Sequence, residues 1–85
     1  MGMDLIEMVC DIEREFEIKI PDEVAVTFVT PRVVIDYLMS LPQINEKWSR
    51  DYVTLSFWMI LEDSYAIDRK NYNENSRFVQ DMGMD

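Results

Sequence analysis

Five serines, a single cysteine and many carboxylates are the side chains of this sequence that could do chemistry. A serine hydroxyl attacks only when a neighbouring base takes its proton. The sequence contains no His, so neither a Ser/His/Asp nor a Cys/His arrangement can be built. Asp63-Ser64 is the one pair in which an acid directly precedes a serine, and it falls late in a predicted helix. Ser40, Ser49, Ser56 and Ser76 read as cap, surface or turn residues. Cys10 has no second Cys to bridge to and no partner with which to hold a metal, so it reads as a small apolar side chain. The carboxylates suggest solvated faces and, at most, weak contact with divalent ions. No catalytic residue and no metal ligand is assigned, and the chain is not expected to be an enzyme.

The carboxylates matter more for partners. With 17 Asp and Glu against 8 Lys and Arg, the net charge is −9. Phosphate backbones are bound by clustered cations, so this balance argues against nucleic acid and favours basic protein surfaces. No apolar run approaches the length of a membrane span, and no basic-then-apolar leader precedes the first acidic residue. The expectation is a soluble, cytoplasmic protein. A length of 85 residues supports one domain with a modest core, burying about 60% of the surface its unfolded chain exposes.

The elements that must position these groups are helices. Leu5, Met8, Val9, Ile12 and Phe16 recur at helical spacing and define a buried stripe over Met3 to Phe16. Pro21 opens a short helical segment from Asp22 to about Phe28. Thr30 caps a third helix with Pro31 at its first position and Val34, Ile35 and Leu38 inward, ending near Leu41. The stretch at 42–52 reads as a connector. A longest helix follows from about Arg50 to Tyr65, turning Val53, Phe57, Ile60, Leu61 and Tyr65 toward the core. The polar tail after Asp68 carries Tyr72, Phe78, Val79 and Met82 as apolar anchors, which predicts a loop packed across the bundle. The fold class is all-α, a four-helix bundle.

The first helix has a second, weaker apolar line made of Met3, Ile6 and Cys10, flanked by Glu7, Asp11 and Glu13. Two readings stay open: a wide amphipathic face, or a docking face whose carboxylates steer a basic partner.

The run DLIEMVCDIEREFEIKIPDE, Asp4 to Glu23, resembles the recognition helix and following loop of acyl carrier proteins. VAVTFVTPRVVIDYL is similar to that family's third and fourth helices, so 3–41 corresponds to its helices two to four. ILEDSYAIDRKNYNENSRFVQDMGMD, Ile60 to Asp85, resembles the family's first helix and long first loop, with Phe78, Val79, Asp81, Gly83 and Asp85 in register. Residues 53–85 thus correspond to the half that comes first in the family. The resemblance implies a four-helix carrier domain in circularly permuted order, with 42–52 joining the old ends.

The tetrapeptide MGMD stands at both 1–4 and 82–85, and the family's attachment motif, D-S-L/M-D/E, falls between the two copies. Asp85 supplies its Asp, Gly2 stands where the Ser belongs, and Met3-Asp4 complete it. Superposing the two copies instead reads the chain as a slice through a tandem array or a duplication. Both registers lack the serine. In the family that serine carries 4′-phosphopantetheine, whose thiol holds acyl groups as thioesters in fatty-acid or polyketide-type synthesis. Gly2 has no oxygen to esterify, so no cofactor is expected on this chain.

The resemblance implies docking on basic surfaces of acyl-processing enzymes through Met3, Ile6, Glu7, Cys10, Glu13 and Ile20. Two other readings are a carrier-derived module, natural or an engineered permutant, that docks without carrying an acyl group, and an unrelated helical adaptor. The expected assembly is a monomer or a domain-swapped dimer, with Asp85 a short loop's reach from Met1.

Overall fold

A computed structural model describes residues 2–85. Helix α1, Met3–Phe16, buries Met8, Ile12 and Phe16, one every four residues, so a single stripe faces inward. Leu5 and Val9 pack half-buried beside it. The helix ends where Glu17 takes a left-handed conformation, φ 54. The one-turn helix α2, Asp22–Ala25, starts behind Pro21 and stops three residues short of the expected Phe28.

Helix α3, Pro31–Met39, begins with the expected cap: Thr30 Oγ1 accepts the Val33 amide at 3.3 Å. Pro31, Val34, Ile35 and Leu38 are buried. Helix α4, Pro42–Asn45, lies inside the stretch expected to be a plain connector, and its Ile44 is fully buried. Among the described residues there are therefore five α-helices, not four, and no strand. Helix α5, Arg50–Tyr65, starts at Ser49, whose Oγ accepts the Tyr52 amide at 3.2 Å, and ends at Ala66 with φ 56.

Helix α5 packs against both α1 and α3, and α4 against α3. Val53, Phe57, Trp58 and Leu61 fill the space between them, while Ile60 and Tyr65 lie half-buried at its edge. Phe16 meets Trp48 edge-on, with ring centroids 5.8 Å apart. A 3-10 turn at Arg69–Asn71 follows α5, and the tail then crosses the bundle. Phe78 is fully buried and meets Phe57 edge-on, while its amide donates to the Val29 carbonyl at 3.0 Å. Met82 is buried as expected and Tyr72 half-buried. Val79 is not an anchor: it is 49% exposed, and Met84 is the buried residue of that segment instead. No helix among the described residues is long and apolar enough to cross a membrane.

Candidate functional site: the start of α1 and the cleft beside it

A helical amide at position i normally donates to the carbonyl at i−4, which leaves the first amides of a helix without partners. In α1 those partners come from the far end of the sequence. The Leu5 amide donates to the Asp85 carbonyl oxygen at 3.0 Å, and the Asp4 amide to Asp85 Oδ1 at 3.3 Å. The Asp85 amide in turn donates to Asp4 Oδ2 at 3.4 Å. The exchange is a reciprocal cap between residues distant in sequence, with a carboxylate at the positive end of the helix dipole. Gly2 is the N-cap and offers no side chain.

Gly2 and Asp85 are pressed together. A Cβ at position 2 would lie 1.8 Å from the Asp85 carbonyl carbon and 2.5 Å from its oxygen, so any larger residue must push Asp85 aside. The residues here do not fit 4′-phosphopantetheine: Gly2 lacks the hydroxyl, and Asp85 already takes the Asp4 and Leu5 amides that would face a phosphate. The expected approach of Asp85 to Met1 lies outside the described residues.

Four of the six predicted docking residues meet at one place. Ile6, Cys10, Glu13 and Ile20 line a cleft of about 290 Å³ between α1 and α2, together with Val9 and Val26. Met3 and Ile6 are 65% and 46% exposed; Cys10 and Glu7 are also exposed. Ile20 departs from the expectation. It is only 6% exposed, so it forms the floor of the cleft and is held there by the core. Glu13 also has a structural task, its Oε2 accepting the Ile20 amide at 2.7 Å. Asp11 is turned away toward α5, where it accepts the Tyr65 hydroxyl at 2.9 Å and pairs with Arg14. Burial, and then the hydrogen bond and charge of Asp11, push the Tyr65 phenol above its usual 10.0.

The apolar surface extends further than the sequence suggested. Val26 and Val29 are 65% and 55% exposed, and a neighbouring hollow of about 190 Å³ continues past them to Val79. The signal was present in the Val-rich run at 24–29, but that run has no helical period long enough to assign a face.

Three serines have structural bonds: Ser49 caps α5, Ser76 Oγ accepts the Asn73 amide in a turn, and Ser40 Oγ donates to the Tyr37 carbonyl; on α5, Ser56 is half-buried and Ser64 exposed. Among the described residues no group of three or more Cys, Asp or Glu is gathered as a metal site. No family model matches the sequence, and no solved structure matches the chain.

Proposed function

We propose that the chain is a helical domain of acyl-carrier type in permuted order that works as a docking module, presenting the α1–α2 face to a basic surface of an acyl-processing enzyme. The observation that carries this reading is the exposed apolar cleft formed by Ile6, Cys10 and Val26, with Glu13 and Asp22 at its edge. Apolar contact gives such a face its affinity, and carboxylates give it partner choice and association rate. The permuted order is supported by Asp85, which accepts the Leu5 and Asp4 amides and so sits against the start of α1. The absence of a hydroxyl at Gly2 supports docking without an acyl cargo.

The test has two arms. Incubated with coenzyme A and a broad-specificity phosphopantetheinyl transferase, the chain shows no mass gain; a single-site gain, mapped to Ser64 or elsewhere, overturns the cargo-free reading. Titrated against a purified basic acyl-processing enzyme of fatty-acid synthesis, it binds, and binding weakens with added salt and with Glu7→Lys. Affinity that is indifferent to salt, Glu7→Lys and Ile6→Ser places the docking face elsewhere.

A further inference from the structure

Helix α5 has more apolar surface than the core can use. Val53, Phe57, Trp58 and Leu61 are buried, yet Tyr52, Leu55 and Met59 are 45%, 53% and 51% exposed. These three recur at i, i+3 and i+7, a single stripe roughly opposite the buried one. A helix that is apolar all round is normally covered on every side. Among the described residues Trp48 stacks on Tyr52, but Leu55 and Met59 are left open. Beside it, α1 and α5 enclose a groove of about 670 Å³ that Tyr52, Leu55 and Met59 line together with Ile60.

The charges around the groove say what kind of occupant it takes. Glu15 and Asp63 line it, and Asp51 and Glu62 lie exposed on α5 nearby. Arg14, the cation among the described residues that line it, is already paired with Asp11. A second copy of this chain would bring another net charge of −9 against an acidic rim, so like charges oppose self-association here. A segment with an apolar stripe and flanking Lys or Arg matches both features. Anchors at i, i+3 or i+4, and i+7 of a partner helix are the usual complement of such a groove.

We propose that the α1–α5 groove is a second docking site, separate from the α1–α2 cleft, and that it takes a basic amphipathic helix of another protein through Tyr52, Leu55 and Met59. The reading does not rest on the acyl-carrier resemblance, because it uses a face that the resemblance leaves unassigned.

The groove carries its own reporter. The Trp48 ring stacks on Tyr52 with centroids 5.7 Å apart and planes 18° from parallel, so an occupant that moves Tyr52 changes Trp48 emission. The probe is a fluorescently labelled synthetic helix of eighteen residues with Leu at i, i+3, i+4 and i+7 positions and Lys elsewhere. A matched peptide with Glu in place of Lys serves as control. Binding is read by anisotropy and by Trp48 emission, with Trp58 replaced by Phe to remove the other indole.

Leu55→Ser and Met59→Ser together should weaken the Lys peptide about tenfold or more, as loss of central apolar anchors does. The Glu peptide should bind at least about tenfold more weakly than the Lys peptide. Ile6→Ser, on the other face, should leave the affinity unchanged. Both serine variants alter exposed positions, and unchanged far-ultraviolet circular dichroism verifies that they fold. The proposal is overturned if the double variant binds as tightly as the parent, if the Glu peptide binds equally well, or if affinity follows Ile6. It is also overturned if Leu55 instead mediates a concentration-dependent dimer, seen as loss of the dimer in the double variant by sedimentation.

Discussion

Glu13 serves two purposes that can be separated by measurement. Its carboxylate faces the cleft, and it also receives the part-buried Ile20 amide at 2.7 Å. Replacing Glu13 with Ala should cost about 1–3 kcal/mol, since a partly buried amide loses a charged acceptor. Glu7→Lys, at an exposed position with no such bond, should stay within about 0.5 kcal/mol. Urea midpoints of the two variants check the contrast, and a Glu13→Ala midpoint equal to the parent's would remove the structural role. Glu7 is therefore the cleaner probe of docking. Tyr65 supplies a pH dependence of known sign. Its folded pKa is raised above the unfolded value near 10.0, so its contribution is fully present below that pH and is lost as pH rises through the folded value. Urea midpoints taken from about pH 8 to 11 should fall less steeply in Tyr65→Phe than in the parent.

Helices α1, α3 and α5 were legible in the sequence because local chemistry and hydrophobic period agreed: Thr30 with Pro31 and Ser49 mark starts, and Met8, Ile12 and Phe16 mark a face. Helix α4 was not. Four residues are too few for a period, and its single buried residue, Ile44, reads the same in a loop. Trp58 was missed because an all-round apolar helix has no unique inward face. Ile20 was placed in the docking site but turned out to belong mainly to the core, because a resemblance identifies positions without their exposure. The ends of α1 and α5 fall at Phe16 and Tyr65, where the sequence placed them, although the residues that follow, Glu17 and Ala66, take left-handed conformations that favour glycine. At Ala66, glycine would relieve a Cβ clash of roughly 1–2 kcal/mol, partly offset by its greater freedom when unfolded. Ala66→Gly should thus raise stability by about 0.5–1 kcal/mol, readable as a higher thermal midpoint; a lower midpoint would show that Ala66 packs usefully.

Seventeen acids against eight bases leave a net charge of −9, whose self-repulsion opposes the compact state. Raising sodium chloride from about 10 to 200 mM should increase the urea midpoint, because the screening length shortens from roughly 30 Å to under 10 Å. The salt that strengthens the fold is thus the salt expected to loosen its acidic docking faces, and titrations must hold the two effects apart. The bond between Asp4 and Asp85 spans 81 positions of sequence. A ribosome delivers α1 early, and the residue that caps it arrives only after every other described residue has emerged. Until then Asp85 cannot accept the Asp4 and Leu5 amides, so this cap on the opening turn of α1 forms only after α2 to α5 have emerged. Long-range closure of this kind slows folding. Ribosome-stalled chains that stop short of Asp85 should expose the start of α1 to a protease, and protection should appear once that one residue clears the exit tunnel.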